Sequence, residues 1–137
     1  MKILLPLDGS DYSRSAVEFV ASRSTLIGTE PVVQLMNVQL AVPPRAARMV
    51  GKAALSEYYT DESDKVLKPA LRRLARVGVK AKPRAVVGSP GEEIAAAAAS
   101  GKVDLIVMGS HGKSALHGLL VGSVTNDVLA RSRTPLL

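Results

Sequence analysis

The residues best suited to chemistry lie between Leu105 and Val124. A short apolar run, Leu105 to Met108, leads directly into Gly109-Ser110-His111-Gly112-Lys113. A second apolar run, Leu119 to Val121, leads into Gly122-Ser123 and a segment of helical character. Glycine lets a backbone approach an anion closely and reach positive φ. Consecutive N–H groups can then form an anion-binding concavity. Ser123 stands where an N-cap would stand, so its hydroxyl and the following N–H groups would aim at one spot. His111 and Lys113 can add positive charge. This pattern suits phosphate. A lone Gly-x-x-Gly would fit an ordinary strand-to-helix turn equally well. The second glycine corner, nine residues on, favours two corners facing each other across a ligand. Neither the Walker loop nor the Gly-x-Gly-x-x-Gly dinucleotide fingerprint is present.

Asp8 is the second candidate. It ends the apolar run Lys2 to Leu7 and precedes Gly9-Ser10. The carboxyl end of a strand is where open α/β sheets bind ligands. An aspartate there can equally cap its own turn, and both roles stay open. Glu92 and Glu93 follow Gly88-Ser89-Pro90-Gly91. First-turn acids favour the positive end of a helix dipole, a structural role preferred here over catalysis. His111 and His117 have no paired acid at a shared spacing, and His117 reads as a loop-surface residue. No catalytic residue is assigned. Phosphoryl transfer needs an oriented nucleophile as well as positioned charge, and only the phosphate cradle is legible. Slow hydrolysis of a phosphate ligand or phosphoryl transfer stays an alternative to simple binding.

The elements that must position these residues alternate regularly. Lys2 to Leu7 reads as a buried parallel strand. Ser10 or Asp11 caps a helix over Tyr12 to Leu26, with Ala16, Phe19 and Val20 on one stripe and Gly28 at its end. Val32 to Val38 is the second strand. Leu40 to Ala54 reads as irregular, a flap beside the pocket, because Pro43-Pro44 interrupts regular structure. Helix returns by Tyr59, with Leu67, Ala70, Leu71 and Leu74 at helical spacing. Pro69 should kink that helix or start another, and Gly78 ends it. Val79 to Val87 is the third strand, placed at a sheet edge by Pro83. A helix to Ala99, closed by Gly101, precedes the fourth strand. Val124, Val128 and Leu129 form the apolar side of the last helix, and Thr134 to Leu137 begins a fifth strand. The alternation predicts one domain over residues 1–137, an α/β doubly wound parallel sheet.

Bulk properties narrow the classes. Hydrophobic residues make up 47% and charged residues 22% of the chain, an ordinary globular balance. No apolar run approaches the ~20 residues that span a bilayer, so no membrane association is expected. The start reads as a strand rather than a signal peptide. With no cysteine there is neither disulfide nor thiolate chemistry, and a cytoplasmic location is expected. The net charge is +6. Most of it lies in residues 45–84, where only Glu57, Asp61, Glu62 and Asp64 oppose the Lys and Arg residues. With Tyr12, Phe19, Tyr58 and Tyr59 as the aromatic complement, base-stacking platforms are not expected. The charge reads as a solvated helix face rather than a nucleic-acid site.

Gly109-x-x-Gly112, nine residues, then Gly122-Ser123 resembles the nucleotide-binding signature of the universal stress protein family. Ile3-Leu4-Leu5-Pro6-Leu7-Asp8-Gly9-Ser10 resembles its first strand and aspartate, and Gly88 to Ile94 its third strand-to-helix junction. The resemblance covers nearly the whole chain. It implies a Rossmann-like five-stranded sheet in the order 3-2-1-4-5, with strands one and four adjacent at the switch point. It implies an ATP-binding regulatory, stress-response protein of the subgroup that carries the glycine signature. The nucleotide-contacting positions would be Pro6, Asp8, Val38, Gly109, Gly112, Lys113, Gly122, Ser123 and Val124. Adenine would meet the backbone at Val38, and Asp8 would lie near the ribose or, indirectly, a metal. Magnesium would bridge the phosphate oxygens. The last strand commonly supports dimer pairing in the family, which implies a homodimer and an unknown regulatory protein partner. Members without the glycine signature act as nucleotide-free scaffolds, the remaining alternative. An adenylating enzyme of related fold would need paired glycines after the first strand, where Asp8-Gly9-Ser10-Asp11-Tyr12-Ser13 stands.

Overall fold

The computed structural model describes residues 1–112 and 121–137. Within them the chain alternates as expected: β1 (Lys2–Pro6), α1 (Asp11–Ser22), β2 (Val32–Gln39), α2 (Pro44–Val50), α3 (Lys52–Ala75), β3 (Ala81–Val87), α4 (Pro90–Ser100), β4 (Leu105–Ile106) and α5 (Ser123–Arg131). The four strands are parallel in the order β3-β2-β1-β4.

The fifth position is filled by a single rung rather than a full strand. Ile106 and Leu136 form a parallel bridge. The Ile106 N–H donates to the Pro135 carbonyl at 2.9 Å, and the Met108 N–H to the Leu137 carbonyl at 3.0 Å. The chain end therefore lies on the free edge of β4, giving the order 3-2-1-4 with the fifth element in its expected place.

Side-chain alternation along the strands divides the core between the two sheet faces. Ile3, Leu5, Leu7, Val33 and Leu35 face α1 and α3, packing with Val17, Val20, Leu67 and Leu74. Leu4, Met36 and Ile106 face α4 and α5, packing with Ile94, Ala97, Ala98 and Val128. Each such buried aliphatic side chain stabilises the fold by roughly 1.5–3 kcal/mol. The near-continuous apolar runs of β1 and β4 follow from burial on both faces.

β3 sits at the edge, as Pro83 requires, and most of its residues are exposed. Three expectations need correction. Pro43-Pro44 does not open a flap; Pro44 occupies the first turn of α2, where a missing N–H loses nothing. Gly51, at φ +84, then turns the chain into α3. Pro69 neither divides nor restarts α3, which runs unbroken for 24 residues. Buried Ser63, Leu67, Ala70 and Leu74 hold it against the sheet. Helix α1 ends at Ser22, short of Leu26, and Gly28 at φ +97 belongs to the following turn.

Candidate functional site

The site is built where β2 outruns β1. Pairing of β1 with β2 ends at Pro6 opposite Met36. The Leu7 N–H makes one further bond, to the Met36 carbonyl at 2.8 Å. Val38 therefore stands past the end of β1, paired only with Val86 of β3. Its half-buried side chain packs on the α4 and α5 side.

Asp8 follows, half-buried, with its Oδ1 accepting the Ser10 N–H at 2.9 Å. This is the self-capping turn. Ser10 in turn caps α1, its hydroxyl accepting the Ser13 N–H at 3.2 Å. The Asp8 Oδ2 points elsewhere. A β-carbon built at Gly112 would lie 2.7 Å from it.

The two glycine corners meet. The Gly122 N–H donates to the Ser110 carbonyl at 2.6 Å. A β-carbon at Gly122 would lie 3.0 Å from the His111 Cα and 3.6 Å from the Gly112 nitrogen. Gly109 presses on α1: its β-carbon would lie 2.6 Å from that of Tyr12. Close approach, not positive φ, is thus what demands glycine here. The positive-φ glycines among the described residues are Gly9, Gly28, Gly51 and Gly78.

Ser123 is not the N-cap. Gly122 takes that position with extended backbone, and Ser123 is the first, exposed residue of α5. The chain has to reach the Ser110 carbonyl one residue early, through Gly122, and this sets the boundary. Gly122 has no side chain with which to cap α5, whose first internal bond runs from the Asn126 N–H to the Gly122 carbonyl. The amides of Ser123, Val124 and Thr125 therefore have no acceptor within the helix. Half-buried Val124 packs into the core on the α4 side.

Of the described residues of the signature, Gly112 lies beside Asp8 and Gly122 beside Gly112, while Gly109 presses on α1 and Ser123 follows Gly122 at the start of α5. Pro6 is buried at the end of β1. Lys113 and His117 lie outside the described residues. His111 stacks obliquely on Tyr12, ring centroids 5.0 Å apart, and its Nδ1 is 3.0 Å from the Ser110 hydroxyl. Glu92 and Glu93 do not join this group. They occupy the first turn of α4, where Glu92 pairs with Arg131 at 3.4 Å. Among the described residues no cluster of three or more His, Cys, Asp or Glu could hold a metal by itself. A divalent cation would need phosphate oxygens to complete its shell, which fits Asp8 in an indirect role.

Sequence reasoning missed two residues. Thr125, buried in α5, donates to the Gly109 carbonyl. Asn37, buried in β2, donates from Nδ2 to the Leu7 carbonyl at 2.8 Å. The available signal was a polar residue inside the apolar run Leu35-Met36-Asn37-Val38.

The family model described as the universal stress protein family matches residues 1–137. Universal stress protein MJ0577 of Methanocaldococcus jannaschii is 33% identical over 149 aligned residues, which take in 99% of this chain and 92% of the relative. The solved structure of MJ0577 superposes with a TM-score of 0.85 at 36% identity, over 99% of this chain and 92% of that one. A universal stress protein solved in complex with cAMP superposes with a TM-score of 0.63 at 26% identity, over 100% and 94%. Among the described residues no helix is long and apolar enough to cross a membrane. A match to the family model over residues 1–137, with a relative 33% identical across nearly its whole length, places this chain in the universal stress protein family.

Proposed function

We propose that this chain is a regulatory, stress-response protein that holds an adenine nucleotide, ATP in the first instance, at the carboxyl ends of β1 and β4. The observation that carries the reading is the meeting of Asp8 with the two glycine corners. The Gly112 and Gly122 backbones lie together, without side chains, beside one carboxylate. The start of α5, whose first amides have no acceptor within the helix, adds the positive end of a helix dipole. That is a cradle for phosphate oxygens. The stretch of β2 at Val38, past the end of β1, offers a backbone edge for the base. Asp8 would face the ribose or a magnesium ion bridging the phosphates. The related protein solved with cAMP supports an adenine nucleotide as the ligand class.

In this reading the protein binds rather than turns over its ligand. It works in the cytoplasm and pairs with a second copy along the β4 edge, where Leu136 bridges Ile106. A regulatory partner would read the occupied state. Calorimetric titration with ATP and magnesium should give saturable binding, lost in Gly112→Val. Undiminished affinity in that variant would refute the assigned cradle. Mass spectrometry of small molecules released from the purified protein identifies which adenine nucleotide copurifies.

A further inference from the structure

We infer that Asn37 is a positioning residue for the nucleotide site: its amide holds the Leu7 carbonyl, and through it the Asp8 carboxylate, against the Gly112 corner. This rests on the nucleotide reading above but is carried by a different set of contacts.

Asn37 is 3% exposed and lies on the sheet face that α1 and α3 cover. That face is otherwise lined by Val33, Leu35 and Leu67. A buried amide there is unfavourable unless every group is satisfied. Here both ends of the side chain are satisfied. Nδ2 donates to the Leu7 carbonyl at 2.8 Å. Oδ1 accepts from Gln39 Nε2 at 2.8 Å and from the Ser63 hydroxyl at 3.0 Å. Ser63 is itself buried in α3.

The location gives the network its meaning. Leu7 is the first residue past the β1–β2 ladder, and its N–H is already held by Met36. Asn37 takes the other end of the same residue. Leu7 is thus gripped at both N–H and C=O, and the next side chain is Asp8. With its own turn closed by Ser10, Asp8 has little freedom left. Its Oδ2 lies 2.7 Å from where a Gly112 β-carbon would be. The same network ties down residues 37 and 39 on either side of Val38. One buried amide therefore sets the spacing between the strand edge assigned to the base and the carboxylate assigned to the ribose or metal. An aliphatic residue of similar volume would fill the same space without directing Leu7. A buried polar network that is fully satisfied specifies geometry in this way.

The test uses the whole chain. Asn37→Asp keeps the shape but opposes a carboxylate to the Leu7 carbonyl; Asn37→Ser serves if that variant does not fold. Ile27→Val, in the core at the opposite end of the strands, is the control for lost stability. Two quantities are measured: ATP affinity, and amide hydrogen exchange without nucleotide. The expected result is ATP affinity weakened tenfold or more. Exchange at Leu7 and Ser10 should also rise at least tenfold relative to amides inside α5, with neither change in Ile27→Val. If the wild-type protein binds ATP and the Asn37 variants bind it equally well, the inference is overturned and the nucleotide reading stands. If exchange responds but the wild-type protein binds no ATP, the nucleotide reading fails while the hold on Asp8 is upheld. Exchange that rises uniformly, as in the control, reduces Asn37 to a structural residue.

Discussion

The hydroxyl of Thr125 donates to the carbonyl oxygen of Gly109 at 3.1 Å, joining α5 to the end of β4 from inside the protein. The threonine is 5% exposed. Between these residues the chain leaves β4, forms both glycine corners and returns as α5, so this bond closes the loop on itself. Thr125→Val keeps the shape and removes the donor. It should lower the unfolding free energy by about 0.5–1.5 kcal/mol, the net contribution of a partly buried hydrogen bond. Urea denaturation measures this. On the proposed function ATP affinity should fall as well, since α5 is then held to the first glycine corner by the Gly122–Ser110 bond without the Thr125 anchor. A variant with wild-type stability and affinity would show that water replaces the hydroxyl without consequence.

A β-carbon at position 112 would sit 2.7 Å from Asp8 Oδ2, far inside contact distance. Gly112→Ala should therefore displace Asp8, at a cost on the order of 1–3 kcal/mol for overpacking. Much of that cost should disappear when Asp8 is also shortened to alanine. A double-mutant cycle over Asp8→Ala and Gly112→Ala, followed by thermal unfolding, should give a coupling above about 0.5 kcal/mol. Additive effects would mean that these two residues are not in contact.

Much of the arrangement was legible in the sequence, for physical reasons that differ by element. The runs Lys2–Leu7 and Leu105–Met108 read as buried strands because parallel strands are covered on both faces. Pro83 announced an edge because it removes a ladder donor. The glycine corners were readable as a pair because no side chain fits where they touch. The misreadings have causes too. Pro44 stood in a segment without apolar periodicity, so a proline that begins a helix looked like one that forbids it. Pro69 was outweighed by the burial of Leu67, Ala70 and Leu74 around it. The partnership of Asn37 with Leu7 spans 30 residues and depends on strand register, which no local pattern encodes.

The contact between α4 and α5 predicts a second glycine effect away from the site. A β-carbon at Gly91 would fall 2.0 Å from Asp127 Oδ2 and 2.5 Å from its Cγ. Rotating the Asp127 side chain away would not suffice, because its Cβ would lie only 2.7 Å off as well. Gly91→Ala should push the two helices apart and destabilise by about 1–3 kcal/mol. Paired with Asp127→Ala it should recover only in part, because the β-carbon of residue 127 would still lie 2.7 Å away. Melting temperatures of the single and double variants decide this. A neutral Gly91→Ala would mean that α5 shifts freely.

Glu18 of α1 and Arg73 of α3 form an exposed clamp, with Arg73 Nε donating to Oε2 at 2.8 Å. Hydrogen bonding from the guanidinium, aided by its charge, holds the Glu18 carboxyl below its ordinary range. A lowered carboxyl stabilises the fold above its unfolded pKa. The contribution is lost as pH falls through the lowered folded value. The stability difference between wild type and Glu18→Gln should thus be present at pH 7 and vanish in strong acid. High salt should shrink it at neutral pH as well. Urea midpoints at the two pH values check the sign, and a gap that widens in acid contradicts it.

Pro69 offers the opposite kind of change, a substitution that should stabilise. It lies in the interior of α3 with its ring exposed, so little packing depends on it. Its missing N–H leaves the carbonyl of residue 65 without its helical donor, and its ring crowds the preceding turn. The helix survives because its buried stripe, Ser63, Leu67, Ala70 and Leu74, faces the sheet on both sides of the proline. Pro69→Ala restores the bond and relieves the crowding. Against this, alanine makes the unfolded chain more flexible, an effect of about 0.4–1 kcal/mol. The proline penalty inside a helix is about 3 kcal/mol, so the net change should raise stability by about 2–2.6 kcal/mol. Thermal unfolding should show a higher midpoint. A lower one would mean that the proline bends α3 to follow the sheet, and that this bend matters more than one hydrogen bond.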